Sequence, residues 1–372
     1  MTEEGTFTEF DRAMMRRALA LARKGRMWVS PNPMVGAVVV KHRGIVGEGY
    51  HRRFGGAHAE VEALAGARAV ARGATIYVTL EPCAHHGKTP PCADAVLSAG
   101  IAKVVMAMVD PFPAVNSRGM RRLREGGVEV ATGLLEAEAS ALNAAYLKRV
   151  RTGLPFFTAK WAMSADGRVA TRAGESKYLT GEDARRIVHE ERSANDAILV
   201  GVGTVLADDP LLDSRLVGGR TPLRVVVDSA CRTPLEAAMI RGGGPVLIAT
   251  TSAAEEQRAA ALRARRCEVV CLDGPGGKVD LRALARLLGE RGLNGVLIEG
   301  GPSVLASAFE LGLVDRVMVF LAPVVIGGET APGAVGGEGA GLLAMARKLG
   351  KPVVRKVGED VLVVFSFSTT HP

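Results

Sequence analysis

The chain has 372 residues, with 47 Lys+Arg against 39 Asp+Glu and a formal balance of +8. At roughly 100–200 residues per domain this length suggests two globular domains, and 48% hydrophobic with 23% charged residues excludes a disordered chain. Aromatic residues are only 4%, which argues against a nucleic-acid binder built on rows of stacking rings, and no run of 18 or more apolar residues lacks a charge, which excludes a membrane helix.

The first 150 residues alternate between helical and strand patterns. Apolar residues fall at helical spacing over 11–24, and 35–40 and 45–50 read as two strands joined by a His42-Arg43-Gly44 turn. An Ala-rich helix over 59–71 precedes a β-branched strand over 75–80, a helix over 92–98 and a strand over 103–108. Helix 118–125, strand 128–131 and one continuous helix over 136–151 complete the unit. This predicts a three-layer α/β/α domain with a mixed sheet. Gly153 and Pro155 interrupt the pattern, placing the boundary within 150–155 and the domains at 1–150 and 151–372.

A second α/β series follows. Strands are predicted at 156–162, 197–200, 223–228, 246–250, 268–272, 295–299, 316–322 and 361–367, and helices at 181–193, 253–265, 281–292 and 303–311. Five cysteines, Cys83, Cys92, Cys231, Cys267 and Cys271, are an odd number after an acidic start with no apolar leader. That favours a reducing, cytoplasmic setting, where a close pair means metal more often than disulfide. Cys267 and Cys271 lie four apart on a predicted strand, hence on one face, and read with Cys231 as small buried residues. Lys and Arg are dispersed, with a short cluster at Arg263, Arg265 and Arg266, so small anionic ligands explain the charge better than a polyanion.

The sharpest local signal is His58-Ala59-Glu60 followed by Pro82-Cys83 and Cys92. Zinc held by one His and two Cys keeps a fourth position for water, whose pKa it lowers toward neutrality. Glu60, two residues past His58 at a helix start, is placed to move protons. The zinc deaminases carry this pattern with two residues between the cysteines; here there are eight. The added residues include His85, His86 and Lys88, donors and positive charge suited to a phosphate-bearing heterocycle. A purely structural zinc with His85 or His86 as fourth ligand is the competing reading.

Asn32-Pro33-Met34-Val35-Gly36, His58-Ala59-Glu60-Val61 and Thr79 to Cys92 closely resemble the bacterial bifunctional deaminase/reductase family of riboflavin biosynthesis, and the resemblance runs the length of the chain. It implies a cytidine-deaminase-like N-terminal domain in which His58, Cys83 and Cys92 bind one Zn2+, Glu60 moves protons, and Asn32, His85 and Lys88 hold a phosphoribosyl diaminopyrimidine. The pyrimidine 2-amino group would leave as ammonia.

In the second half, Leu297-Ile298-Glu299-Gly300-Gly301-Pro302-Ser303 reads as a strand, a Gly-Gly turn and a helix start, whose bare N–H groups can hold a pyrophosphate. The run Gly201 to Leu206 is only a weak match to a dinucleotide fingerprint. The resemblance implies a dihydrofolate-reductase-like domain in which NADPH lies against Ala162, Tyr178, Thr204, Asp208, Ser229 and Gly301, Pro302, Ser303, Val304, Leu305, Ala306 and Ser307. Ser176, Arg192, Leu212, Arg215 and Glu299 would hold the substrate, Arg192 and Arg215 as phosphate clamps. Lys160 and Asp208 would lie near the reacting carbonyl. The implied product is a ribityl phosphate, and the implied assembly a homo-oligomer, dimer or tetramer. Two other functions compete: a nucleic-acid base deaminase, which calls for Cys-x-x-Cys spacing and a stacking groove, and a zinc-stabilised binding protein without turnover, which calls for degraded sites.

Overall fold

The computed structural model describes residues 7–84, 90–113 and 115–367. It divides into two compact units, Met1–Gly153 and Leu154–Pro372.

The first unit carries a five-stranded sheet in the order β2-β1-β3-β4-β5. Its strands are β1 (Gly36–Lys41), β2 (Gly44–Tyr50), β3 (Thr75–Val78), β4 (Lys103–Met106) and β5 (Glu129–Thr132). β1 runs antiparallel to β2 and β3, and β3, β4 and β5 are mutually parallel, the mixed sheet expected. One face buries Ala37, Val39, Ile76, Val78, Val104 and Met106 under the helices Ala59–Ala67 and Cys92–Ser98. The other buries Val38, Val40, Tyr77 and Val105 under helix Glu9–Arg23. Each fully buried Val, Ile or Met contributes about 1.5–3 kcal/mol. Helix Ala59–Ala67 lies flush on β2 because Gly47 and Gly49 are bare: a Cβ at either would run into that helix's backbone.

The continuous helix expected over 136–151 is two helices, Glu136–Leu142 and Ala144–Thr152. Asn143 separates them. It is buried, and its amide brackets one residue of a distant loop, with Oδ1 accepting from the Met34 N–H at 2.8 Å and Nδ2 donating to the Met34 carbonyl at 2.9 Å. A tertiary bond of this kind overrides helix propensity, which amounts to tenths of a kcal/mol per residue.

The second unit holds a nine-stranded sheet, β10-β9-β8-β7-β11-β6-β12-β14-β13. Its strands are β6 (Phe156–Ser164), β7 (Ala197–Gly201), β8 (Leu223–Val227), β9 (Val246–Thr250), β10 (Glu268–Cys271), β11 (Gly295–Ile298), β12 (Val314–Ala322), β13 (Val353–Val357) and β14 (Asp360–Ser366). The seven strands from β10 to β12 are parallel, and β14 and β13 close the edge as an antiparallel hairpin. β7 and β9 are buried throughout, as continuous apolar strands covered on both faces should be.

Three features of this unit differ from expectation. Strand β13 is additional; four of its five residues are exposed, so it carries no alternating pattern. Helix Val202–Asp208 is also additional, in a segment rich in Gly, Val and Thr that propensity disfavours. Cys267 and Cys271 do not share a face: Cys267 is buried and precedes β10, whereas Cys271 ends that edge strand exposed. Cys267 belongs to the preceding turn, its N–H donating to the Leu262 carbonyl, so strand alternation does not reach it. Among the described residues no helix is long and apolar enough to cross a membrane.

Candidate active sites

In the first unit the chain brings three donor atoms together. His58 has extended backbone (φ −78°, ψ 163°) immediately before helix Ala59–Ala67. Cys83 follows β3, and Cys92 is the first residue of helix Cys92–Ser98. His58 Nδ1 lies 3.1 Å from Cys92 Sγ and 3.6 Å from Cys83 Sγ, and the three donors all fall within 4.8 Å of one another. A tetrahedral zinc with Zn–N near 2.0 Å and Zn–S near 2.3 Å needs ligand atoms about 3.5–3.8 Å apart, so the spacing and the chemistry of this donor set fit that ion. The Cys92 N–H donates to Cys83 Sγ at 3.4 Å. The Cys92 thiol, the His58 ring and that N–H together hold Cys83 well below the usual thiol range despite its burial.

Glu60 is 3% exposed in the first turn of its helix, beside this donor set. Burial pushes its carboxyl up to about 7, with the neighbouring His58 opposing the rise. The cavity in front, about 290 Å3, is lined by Asn32, His51, His58, Glu60, Cys83 and Asp110 among others. His51 is buried, with Nδ1 2.9 Å from the Ala57 carbonyl oxygen and Nε2 3.0 Å from Asn32 Nδ2. The carbonyl requires N–H at Nδ1, so Nε2 is bare and accepts from the Asn32 amide. That turns Asn32 Oδ1 away from His51. Burial lowers the His51 pKa and keeps the ring neutral.

The second unit opens a much larger cleft, about 1660 Å3, where the carboxyl ends of β8, β7, β11 and β6 meet their loops. Parallel sheets bind ligands at such ends. Gly300 and Gly301 have φ of 109° and 83°, a region that favours glycine. A Cβ on Gly301 would lie 3.2 Å from the Gly201 nitrogen, and one on Gly300 would lie 3.3 Å from Thr204 Oγ1. Two βα turns on neighbouring strands therefore meet with bare backbone. Helix Pro302–Glu310 begins there with Pro in its first turn, and the first-turn N–H groups of a helix suit a phosphate-bearing ligand.

On the other side of the cleft lies a buried charge network. Arg192 donates through Nε and Nη2 to the two Glu299 oxygens at 2.6 and 2.8 Å, and through Nη1 to the Asp213 carbonyl at 3.2 Å. Lys160 Nζ stands 3.8 Å from Glu299 Oε2. Burial lowers the Lys160 pKa, with Glu299 opposing; burial would raise Glu299, but Arg192 and Lys160 hold it below the usual carboxylate range. Arg215 pairs with Asp213 at 2.6 Å. His189, buried next to them with Nδ1 4.0 Å from Asp213 Oδ1, is pushed down to about 4 by burial and by the charges of Arg192 and Arg215.

Residues 155–363 match the RibD C-terminal domain family, and residues 8–108 match the cytidine and deoxycytidylate deaminase zinc-binding region. The RibD riboflavin biosynthesis protein of Actinobacillus pleuropneumoniae is 44% identical, over 96% of this chain and 95% of its own length. The chain belongs to the RibD family. It is a bifunctional deaminase/reductase of riboflavin biosynthesis. RibD of Escherichia coli is 41% identical over 94% of this chain and 98% of that one. Among solved structures, Acinetobacter baumannii RibD superposes with a TM-score of 0.87 at 34% identity, covering 97% of this chain and 99% of that one. A diaminohydroxyphosphoribosylaminopyrimidine deaminase/5-amino-6-(5-phosphoribosylamino)uracil reductase from Thermotoga maritima gives 0.84 at 35% identity, with 96% and 99% coverage.

In this RibD fold, Asn32, His58, Glu60 and Cys83 line one cavity and Cys92 joins the donor set, while His85 and Lys88 lie outside the described residues. Ala162, Ser176, Tyr178, Arg192, Thr204, Asp208, Leu212, Arg215, Ser229 and Glu299 all line the second cleft, as do Gly301–Leu305 and Ser307. Ala306 does not; it is buried on the inner side of its helix. Arg192 is not a free phosphate clamp, because its fork is already committed to Glu299. Asp208 Oδ1 accepts from the Ser176 hydroxyl at 3.0 Å. Sequence reasoning missed His51, Asp110 and Tyr146 in the first cavity and His189 in the second. Each sits outside a recognisable motif and reaches its cavity only through the fold.

Proposed function

We propose that this RibD chain divides its chemistry between 1–150 and 151–372. The first part hydrolytically deaminates 2,5-diamino-6-(5-phosphoribosylamino)pyrimidin-4-one; the second reduces the ribosyl group of the product with NADPH, giving 5-amino-6-(5-phosphoribitylamino)uracil. The observation that carries the reading is the set of His58, Cys83 and Cys92 donor atoms, spaced for zinc at a cavity that buries Glu60. The substrates of the two steps are those named in the two activities of the Thermotoga maritima relative.

His58, Cys83 and Cys92 hold zinc, which when bound supplies an activated water. Glu60 would hold and deliver the proton that the departing amine nitrogen needs, a task its buried place beside the donors suits. Asn32, oriented by His51, binds the pyrimidine edge, and His85 and Lys88 are assigned to substrate binding by the family resemblance alone. In the second cleft the dinucleotide would lie along Gly301–Leu305 and Ser307 with Ala162, Tyr178, Thr204, Asp208 and Ser229, and would supply the reducing equivalents. Arg215, half-exposed and paired through one Nη with Asp213, meets the substrate phosphate. Arg192 acts through Glu299, whose carboxylate it orients toward the ribosyl group, with Ser176 and Leu212 as flanking wall. We take the chain to work as a cytoplasmic homo-oligomer, a dimer or tetramer; exposed Leu342, Leu343, Val353 and Val354 support a subunit contact, which light scattering will check.

A two-stage assay tests the whole reading. Ammonia release before NADPH is added should be stopped by a chelator and restored by zinc, and oxidation of NADPH should follow only from the deaminated product. Chelator-insensitive ammonia release, or reduction without prior deamination at an equal rate, would overturn it.

A further inference from the structure

Glu81 stands in the Thr79-Leu80-Glu81-Pro82-Cys83 run and has no part in the chemistry above. Only 4% of it is exposed. A buried carboxylate is costly unless its oxygens are filled by donors. Among the described residues those of Glu81 are filled by backbone: Oε2 accepts the Asp110 and Ser117 N–H groups at 3.3 and 3.0 Å, and Oε1 accepts the Met120 N–H at 3.0 Å. The Glu81 N–H itself donates to the Met108 carbonyl at 3.1 Å.

These amides belong to one stretch of chain, 110–113 and 115–120, running from beyond β4 into helix Arg118–Glu125. Asp110, Phe112 and Val115 from this stretch line the same cavity as His58, Glu60 and Cys83. Val115 also packs in a small buried cluster with Cys83 and Cys92. At its far end Gly119 presses on the ligand segment, since a Cβ there would collide with the Pro82 carbonyl oxygen. One side chain thus fastens the wall of the cavity to the segment that carries a metal ligand two residues later.

We propose that Glu81 is a positioning residue of the deaminase site, locking the wall that carries Asp110, Phe112 and Val115 to the Pro82-Cys83 segment and so setting the width of the substrate cavity. It touches neither metal nor substrate. The inference rests on the deaminase reading given above.

Glu81→Gln keeps the shape but turns one acceptor into an NH2 facing backbone donors. We expect the deaminase KM to rise about tenfold or more, the loss of roughly one charge-assisted hydrogen bond, with kcat within about threefold of wild type. Zinc stays at one per chain, and the reductase activity of the same chain is unchanged. Amide exchange at Asp110, Ser117 and Met120 accelerates. Gly119→Ala, which keeps the Glu81 carboxylate but drives a Cβ into the Pro82 carbonyl oxygen and to 3.3 Å from Glu81 Oε1, should give the same KM-selective defect, and it decides the matter if Glu81→Gln does not fold. Unchanged KM and unchanged exchange in either folded variant overturn the proposal. So does loss of zinc with a matching fall in kcat, which would make Glu81 a support of the ligand instead. Absence of ammonia release by wild type would fail the deaminase reading alone, because the exchange measurement needs no turnover.

Discussion

The two cavities solve different problems with different materials. The one in the first unit is small, about 290 Å3, and is organised around three donor atoms within 4.8 Å of one another. That in the second unit is about 1660 Å3 and is organised around bare backbone turns on one side and a buried ion network on the other. A metal needs few ligands at fixed distances, so His58, Cys83 and Cys92 can come from two short stretches of chain. A dinucleotide and a sugar phosphate are long and multiply charged, and the cleft proposed for them is lined by residues as far apart as Ala162 and Ser307. The first site concentrates its function in a handful of atoms, whereas the second distributes it.

This contrast can be broken or sharpened by mutation, with the largest effect in the small site. Glu60→Gln should lower deaminase kcat by about 10^2–10^4-fold with zinc retained and the reductase unaffected. Metal analysis alongside both assays checks it, and near-wild-type deamination with zinc bound would remove Glu60 from the proton path.

In the distributed site, Glu299→Ala leaves buried Arg192 and Lys160 facing each other without their shared carboxylate. Breaking a buried pair in this way costs about 3–5 kcal/mol. We expect a marked fall in the unfolding midpoint of the second unit and loss of reductase activity, with zinc content and deamination unchanged. A wild-type denaturation midpoint would show that the network does not hold the cleft.

A smaller effect is expected from Gly301→Ala. The residue would be held at φ 83° with its Cβ 3.2 Å from the Gly201 nitrogen, a strain of order 1–3 kcal/mol. The KM for NADPH should rise about tenfold, with deamination unaltered. Equal dinucleotide affinity in a titration would remove the Gly-Gly turn from the cofactor site.

The smallest effect is pH-linked. His189 is neutral in the fold, its pKa down to about 4 against an unfolded value near 6.5. Between these values the unfolded chain binds more protons, so stability rises with pH. The second unit should lose on the order of 2 kcal/mol as pH falls from about 6.5 to 4, and His189→Gln should flatten that part of the profile. An unaltered slope in the variant would assign the acid sensitivity to other groups.

Much of the architecture was legible because both sheets obey simple patterning. The covered strands read as apolar runs, and glycines and prolines mark the joins between them, including Gly153 before the second unit. Legibility failed where long-range contacts outweigh local preference. Asn143 splits a segment with uninterrupted helical pattern because its amide is worth more to Met34 than one more helical turn. Strand β13, Val-Val-Arg-Lys-Val, is exposed at four of five positions and pairs with its hairpin partner β14 at the sheet edge. Cys267 and Cys271 look like a facing pair by count, yet the strand begins after the first of them.

By itself the sequence determined the chemistry available: three soft donors and an adjacent acid at a spacing that suits zinc, and a strand running into Gly-Gly and a helix start that suits phosphate. Those depend on residue type and on neighbours a few positions away, which sequence states directly. Only the tertiary structure decided which charges are already spoken for. Arg192 is indistinguishable in sequence from an open phosphate clamp, but the fold sets Glu299, over a hundred residues later, squarely against its fork. In the same way, Glu81 is read as part of a metal motif until Asp110, Ser117 and Met120 return to fill its oxygens with backbone N–H groups. Electrostatic pairing acts over a few ångströms in space, and distance along the chain carries no record of it.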